Sequence, residues 1–257
     1  MDLELHDRVF IITGGTRGLG FATAEALVRE GARVVAIGRS AEDVKQAQEL
    51  LGGSAMALCG DLADPDMPLR AISRAVEVFG RVDGAMISVG GPPPGTVLQR
   101  SDADWVQAFE SVFLGAVRMA RLTCAHLMTA NPPSRNGVVG FVLSVSARQS
   151  IPSLSLSNGL RPGLAMVVSD LADEVGPYGL RTFGLLPGRI ATARIESLDA
   201  ATGDPEVARA QAEAIIPLRR YGTPREFGDC AAFLLSPRAS YITGTCLAID
   251  GGMLRMP

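Results

Sequence analysis

A glycine-rich segment near the start of the chain has the residue types and spacing that bind the phosphates of a dinucleotide. Residues 13–20 read TGGTRGLG; they follow a short β-branched run and precede an amphipathic stretch closed by Gly31. Gly14, Gly18 and Gly20 let the backbone turn tightly and approach a pyrophosphate, and the amino end of the following helix offers free N–H groups. The alternative is a glycine-rich turn without a ligand. The position between a predicted strand and a predicted helix favours a dinucleotide site.

Two arginines indicate which dinucleotide the segment would bind. Arg39 follows the second predicted strand, where an acidic residue would hold the 2′-hydroxyl of NAD, and Arg17 lies inside the glycine turn. Two guanidinium groups suit a 2′-phosphate, because they form charge-assisted and often bidentate bonds to it. The pair therefore predicts NADP(H). The alternative for each arginine is a solvated surface charge.

The elements that must position these residues alternate along the chain as strand and helix. The predicted strands lie at residues 8–12, 32–38, 54–60, 83–89, 137–145, 179–186 and 245–250. Longer helical stretches separate them, as at residues 21–30, about 102–130 and about 157–176. Short apolar strands in this alternation imply parallel pairing with helices on both faces. We predict an α/β fold, a Rossmann-type doubly wound sheet of about seven strands, in a single domain over residues 1–257.

Composition excludes several classes of protein. The chain has 257 residues, of which 47% are hydrophobic, and a formal net charge of −3, so we expect a globular protein without nucleic acid or membrane as partner. Four scattered cysteines and a first segment without signal-peptide order favour a cytoplasmic location. His6 and His126 stand at ligand spacing from no cysteine, so no metal is expected. All but one of the 24 basic residues are arginine, the exception being Lys45.

The glycine spacing TGxxxGxG at residues 13–20 resembles the classical short-chain dehydrogenase/reductase family. The other segments that carry the resemblance are Asp61-Leu62, similar to the adenine-contacting pair, Pro187-Gly188 with Thr192, similar to the nicotinamide-side turn, and residues 217–236 and 240–252, similar to the last helix and strand. The resemblance covers residues 7–252. It implies an NADP(H)-dependent oxidoreductase acting on a small molecule, with a homotetramer, or a homodimer, as the expected assembly.

The resemblance also implies which residues contact the cofactor. They come from the glycine turn, the ends of the following strands and the nicotinamide-side turn. The set is Gly14, Thr16, Arg17, Gly18, Leu19, Gly20, Arg39, Asp61, Leu62, Ser88, Gly90, Arg161, Pro187, Gly188, Ile190 and Thr192.

The family pattern changes at the residues that would do the chemistry. That pattern is a serine at the end of the fifth strand, a tyrosine, a lysine four residues later and an asparagine from the preceding helix. Here Ser144 ends the predicted strand, while Ser157, Arg161 and Val112 stand at the tyrosine, lysine and asparagine positions. The residues four places after Tyr178, Tyr221 and Tyr241 are Thr182, Arg225 and Thr245, so no Tyr-xxx-Lys pair exists. The sequence predicts an atypical site that keeps only the serine, with Val112 as core packing.

Ser144, Ser157 and Arg161 are the candidate catalytic residues. An arginine keeps its proton because its pKa exceeds about 12, so Arg161 can act as a fixed cation but not as the proton donor. It would hold the nicotinamide ribose and stabilise negative charge on the substrate, while both serines donate hydrogen bonds to the substrate oxygen. Alternatively, Ser157 and Asn158 cap a helix with Pro162 in its first turn, and Arg161 is a surface ion-pair partner.

Three functions fit this pattern. The first is an NADPH-dependent reductase of a carbonyl or conjugated enone-type molecule, since an enolate product needs no strong enzymic acid. The second is an NADPH-binding sensor or inactive subunit without turnover. The third is a redox-neutral lyase or isomerase with a structural cofactor. The substrate itself is not predicted.

The segment at about residues 189–217 is predicted to form a cover over the substrate. Arg189 and Arg194 in this segment would meet a carboxylate or phenolate, or else be solvated charges beside Glu196, Asp199 and Asp204. Gly91 to Gly95, with three prolines, is predicted to be a stiff wall of the same cleft.

Overall fold

Seven segments pair in parallel as one sheet in the computed structural model, which describes residues 1–130 and 136–255. The strands β1 to β7 span Val9–Thr13, Arg33–Gly38, Ala55–Cys59, Gly84–Ser88, Val138–Val142, Arg181–Pro187 and Thr245–Ile249. Their order across the sheet is β3-β2-β1-β4-β5-β6-β7. The predicted Rossmann-type α/β sheet is therefore confirmed. Residues 131–135 and 256–257 of the predicted domain lie outside the described residues.

Helices cover both faces of the sheet. The helices α1 to α9 span Gly18–Arg29, Ala41–Leu51, Met67–Phe79, Asp102–Ala108, Gly115–Thr129, Ser155–Val175, Ala193–Ala200, Pro205–Ile215 and Pro224–Leu235. Alternate residues of β1 point to opposite faces. Val9 and Ile11 pack in a core with α3, α5 and α6, whereas Phe10 and Ile12 pack in a second core with α1 and α9. Within the described ranges, every helix is too short or too polar to span a bilayer.

The predicted long helix at about 102–130 is interrupted. A π-helical segment, Phe109–Leu114, separates α4 from α5, and within it the rings of Phe109 and Phe113 stack at 5.3 Å. The helix resumes at Gly115, where a Cβ atom would lie 2.7 Å from the carbonyl oxygen of Leu62. The apolar periodicity of the sequence did not reveal this widened turn.

The order in which strands are added to the sheet reverses between β1 and β4. Strands β2 and β3 extend the sheet on one side of β1, and β4 to β7 extend it on the other side. The connections on the two sides therefore diverge and leave a crevice at the carboxyl edge. The Thr13 hydroxyl joins the two strand ends: it donates to the Ser88 carbonyl and accepts from the Ser88 N–H, both at 2.9 Å. Every candidate site residue at a strand end faces this edge.

A buried carboxylate joins the same strands at the opposite edge. Asp83, whose side chain is 1% exposed, accepts the Val9 N–H at 2.9 Å. It also accepts two bonds from the Arg81 guanidinium, at 2.8 and 2.6 Å, and lies 3.8 Å from Arg8. The carboxylate thus satisfies a backbone donor at the start of β1 and is itself neutralised by arginine.

Replacing Asp83 with alanine is expected to lower the free energy of unfolding by about 3 kcal/mol, because the change leaves a buried N–H and two arginines without their acceptor. Urea denaturation of the apo-protein measures this. The control is Asp229→Ala, which removes the exposed ion pairs with Arg29 and Arg225 and should change stability by less than about 1 kcal/mol. Equal effects of the two substitutions would contradict the role given to Asp83.

Candidate active site

The glycine turn is shaped by three residues that have no side chain. Gly14 and Gly18 both have φ of +57°, a conformation that favours glycine. A Cβ atom on Gly20 would lie 2.2 Å from the carbonyl oxygen of Gly14, so the turn folds back on the first helical residues, including Leu19. The N-cap residue of α1, Arg17, makes no side-chain capping bond. The first N–H groups of α1 are thus left to an anionic ligand.

The same turn is fitted against the end of β2. Gly15 donates its N–H to the Ile37 carbonyl at 2.9 Å. The Thr16 side chain fills the space beside Gly38, where a Cβ atom would lie 2.1 Å from the Thr16 hydroxyl oxygen. Gly38 is the last residue of β2, so this contact holds the glycine turn next to Arg39.

The two arginines predicted to bind a 2′-phosphate lie at this end of the sheet and are largely exposed. The side chains of Arg17 and Arg39 are 73% and 65% exposed, and their nearest carboxylates, Asp43 and Asp61, are each 3.8 Å away. Such long, exposed contacts are weak. Both guanidinium groups are therefore available to a more highly charged anion.

The predicted adenine pair is placed unequally. Asp61 lies at the carboxyl edge, where one of its carboxylate oxygens accepts the Ala63 N–H at 3.0 Å. Leu62 is only 6% exposed and its side chain belongs to the core beneath α5. Only the backbone of Leu62 can therefore contact a cofactor.

The nicotinamide-side residues follow the ends of β4 and β6. Ser88 ends β4, Gly90 lies two residues beyond it, and Pro187 ends β6. Gly188 donates to the Ile249 carbonyl at 3.0 Å, and a Cβ atom there would lie 2.6 Å from the side chain of Asp250, so the turn passes too close to β7 for a larger residue.

The remaining two predicted cofactor residues precede α7. Ile190 is 2% exposed. The backbone hydrogen bonds between this segment and Gly222 are made by Arg189 and Ala191, which flank Ile190. The backbone of Ile190, not its side chain, is thus the part that could bind a cofactor. Thr192 is the N-cap residue of α7 and makes no side-chain capping bond.

Ser144 lies beyond its strand and not within it. The predicted strand at 137–145 ends at Val142, and Ser144 instead begins a 3₁₀ turn, Val145–Ala147. Its hydroxyl oxygen accepts the Ser146 N–H at 3.1 Å. The residue is half-buried, and the hydroxyl hydrogen is not used by that bond.

The capping interpretation of Ser157 is wrong. Helix α6 begins at Ser155, its N-cap residue Leu154 makes no side-chain cap, and Pro162 lies inside the helix. The Ser157 hydroxyl lies 2.9 Å from the Ser146 hydroxyl, and both are buried.

Asn158, the other residue in that interpretation, instead bonds to the backbone of Ile151. Its side-chain oxygen accepts the Ile151 N–H at 3.0 Å, and its side-chain nitrogen donates to the Ile151 carbonyl at 2.9 Å. The helix starts earlier than the sequence suggested because this loop contact, and not a capping side chain, fixes the entry into α6.

Arg161 is buried and not a surface ion-pair partner. Its side chain donates to the Val142 carbonyl at 2.7 Å and to the Val89 carbonyl at 3.4 Å, so it spans the ends of β5 and β4. The residue is 4% exposed, and its buried Nε has no partner among the described residues. Burial and the nearby charge of Arg194 lower the pKa of Arg161 to about 10, so it stays charged at neutral pH.

Val112, at the family's asparagine position, is 3% exposed and packs in the core within the π-helical segment. The structure therefore brings Ser144, Ser157 and Arg161 to one end of β4 and β5, and Ser146 links the two serines. Sequence reasoning missed Ser146, which carried no signal beyond its place two residues after Ser144.

The two arginines of the predicted cover segment differ. Arg189 is paired with Asp199 at 2.6 Å, and Asp199 also accepts the Tyr221 hydroxyl at 2.9 Å. Arg194 instead donates to the Pro92 carbonyl at 2.7 Å. Helices α7 and α8 form most of this segment. In the described part of the chain, no group of three or more His, Cys, Asp or Glu side chains could hold a metal ion.

The site fits a dinucleotide. The glycine turn leaves a space that a Cβ atom would fill, and the amino end of α1 and two exposed arginines offer donors to phosphate. The ends of β4 and β6 continue the cleft toward Ser144.

Comparisons with known proteins agree with this geometry. The family model described as Enoyl-(Acyl carrier protein) reductase matches residues 14–254. L-rhamnose 1-dehydrogenase (NAD(P)(+)) of Azotobacter vinelandii is 32% identical over 257 residues, which cover 97% of each chain.

Solved structures match over the whole chain as well. L-sorbose reductase from Gluconobacter frateurii, in complex with NADPH and L-sorbose, is 26% identical with a TM-score of 0.92 and full coverage of both chains. A short-chain oxidoreductase from Pseudomonas aeruginosa PAO1, described as containing an atypical catalytic center, is 25% identical with a TM-score of 0.89, covering 98% of this chain and 99% of that one. This chain belongs to the short-chain dehydrogenase/reductase family, whose members are oxidoreductases that bind a nicotinamide cofactor.

Proposed function

We propose that the protein is an NADPH-dependent oxidoreductase that reduces a carbonyl or conjugated enone-type small molecule without a tyrosine general acid. The observation that carries the proposal is the position of Arg161: a buried guanidinium group is fixed between the ends of β4 and β5, and its residue follows Ser157 by four positions in α6. Such a group stabilises negative charge that develops on a substrate oxygen.

The choice of NADPH rests on Arg17 and Arg39. Both guanidinium groups are exposed beside the glycine turn, and the residue after β2 is basic instead of acidic. A 2′-phosphate dianion would gain charge-assisted bonds there, whereas a 2′-hydroxyl would gain little. The bound cofactor supplies the hydride.

Ser144 is the direct hydrogen-bond donor to the substrate oxygen in this proposal. Its oxygen already accepts the Ser146 N–H, which orients the hydroxyl and leaves its hydrogen for the substrate. Ser157 is the second donor: when the Ser146 hydroxyl donates to Ser157, the hydrogen of Ser157 is free for the substrate. The pair would hold the oxygen from two sides.

Arg161 acts by charge and not by proton transfer. Its pKa of about 10 keeps it protonated at neutral pH, so the proton that completes the reduction comes from elsewhere. A conjugated acceptor suits this arrangement, because the enolate formed by hydride addition is protonated at carbon by water. The atypical catalytic center described for the Pseudomonas aeruginosa relative supports the view that this fold accommodates departures from the usual residues.

The cofactor preference is tested by the variants Arg17→Gln and Arg39→Gln. Each is expected to raise the Kd for NADPH about tenfold and to change the Kd for NADH less than threefold, because only NADPH carries the 2′-phosphate. Fluorescence titration of the reduced cofactor measures both constants. The control is Arg33→Gln, at the other end of β2, where the arginine is paired with Asp7. Equal weakening for both cofactors would contradict the assignment.

The reaction is tested by NADPH oxidation against saturated ketones, each paired with its α,β-unsaturated counterpart. We expect turnover of the unsaturated members and a loss of about 100-fold in kcat for Ser144→Ala. Arg161→Ala should lose at least as much, and Arg161→Lys should recover part of it if it folds. NADPH titration and circular dichroism of each variant separate a lost function from a lost fold.

Two outcomes would replace this proposal. Tight NADPH binding without consumption across the panel would favour a sensor or inactive subunit. Conversion of a substrate without net NADPH oxidation would favour lyase or isomerase chemistry with a structural cofactor.

The serine pair is tested by comparing Ser157→Ala with Ser146→Ala. If Ser157 donates to the substrate, its loss should lower kcat about tenfold more than the loss of Ser146, which only removes a supporting bond. Steady-state kinetics on an active panel member measure this. Equal, small effects of both changes would show that the pair is structural.

A further inference from the structure

Two guanidinium groups bracket the backbone that follows β4. Arg161 donates to the carbonyl of Val89 at 3.4 Å, and Arg194 donates to the carbonyl of Pro92 at 2.7 Å. Between them, a Cβ atom on Gly91 would lie 3.0 Å from the central carbon of the Arg194 guanidinium. Two cations from separate helices, α6 and α7, thus lie on one stretch of four residues.

Neither of these cations is neutralised. Within residues 1–130 and 136–255, no carboxylate lies within 4 Å of either guanidinium, whereas neighbouring Arg189 and Arg100 each have one, Asp199 and Asp104. Partial desolvation lowers the pKa of Arg194. Burial, and to a lesser extent the charge of Arg194, lowers the pKa of Arg161. Arg161 is buried and Arg194 is exposed, and a buried cation next to a second cation is unfavourable unless an anion joins them.

Arg194 has free donors for such an anion. Its acceptor among the described residues is the Pro92 carbonyl, which takes one N–H of Nη2, so Nε and Nη1 keep theirs. It stands two residues after Thr192 on the nicotinamide side of the cleft, and Arg161 borders the side of Ser144. The planar guanidinium fork of Arg194 matches the two oxygens of a carboxylate.

We propose that the substrate carries a carboxylate, which binds to Arg194 and is also attracted by the charge of Arg161. The substrate class is then an oxo acid or an unsaturated oxo acid and not a neutral ketone. This inference rests on the proposed function for the position of the reacting carbonyl, but the binding of the carboxylate does not depend on turnover.

The binding test uses the protein saturated with NADP⁺, so that no reaction occurs. Calorimetric titrations with benzoate, phenylacetate and 3-phenylpropanoate are compared with titrations of the corresponding neutral amides. We expect at least one acid to bind about tenfold or more tightly than its amide, because a charge-assisted bond in a partly buried site is strong. Arg194→Gln should abolish the difference, and Arg194→Lys should keep part of it.

The matched control is Arg100→Gln. Arg100 donates to the Pro94 carbonyl of the same proline loop but is paired with Asp104, so its loss removes a loop contact without removing an uncompensated charge. It should leave the preference for acids unchanged. If Arg100→Gln and Arg194→Gln remove it equally, the loop shape and not the charge is responsible, and the proposal fails.

Two further results would overturn the proposal. One is that no acid binds more tightly than its amide. The other is that Arg194→Gln weakens NADP⁺ binding at least tenfold while the preference for acids survives, which would assign Arg194 to a cofactor phosphate.

Turnover separates this inference from the proposed function. NADPH oxidation is followed with 2-oxo and 4-oxo acids, their unsaturated counterparts and the methyl esters of each. Consumption that is equal for acids and esters supports the reductase and contradicts the carboxylate site. Arg194-dependent binding of acids without any consumption supports the carboxylate site and contradicts the reductase.

Discussion

A guanidinium group buried between two strand ends is the interaction on which the proposed chemistry of the cleft depends. Arg161 reaches the carbonyls of Val142 and Val89 with one planar fork, so it connects β5 to the segment after β4 in the way that Thr13 connects β1 to β4. A lysine ammonium is a single compact charge on a flexible stem and lacks this fixed two-pronged geometry. The arginine therefore acts both as a brace for the carboxyl edge and as its permanent positive charge.

That edge exists because all strands run parallel. Every carboxyl end lies on one side, and the reversal between β1 and β4 opens the crevice there. The glycine turn is more than a hundred residues away along the chain from the 3₁₀ turn with Ser144 and from the start of α6, yet the pairing of the strands brings them to the same edge. The topology of the sheet thus creates the cleft, and the side chains at the strand ends line it.

The sequence was sufficient for the features that depend on local pattern. Strand and helix alternation predicted the sheet, and the glycine spacing predicted a turn whose positive φ angles at Gly14 and Gly18 are local backbone requirements. It was insufficient where distant segments decide. The contact of Arg194 with Pro92 joins residues 102 positions apart. The interruption at Phe109–Leu114 and the early start of α6, where Asn158 binds a loop residue seven positions away, were also not predicted.

Asp83 lies at the opposite edge of the sheet from the candidate site. The carboxylate aligns β1 and β4 through the Val9 N–H and two arginines, without using any residue of the cleft. The carboxylate that aligns β1 with β4 and the candidate site therefore lie at opposite edges of one sheet. A change at Ser157 would leave the contacts of Asp83 in place, whereas a change at Arg161 would also remove the bonds that connect β5 to the segment after β4.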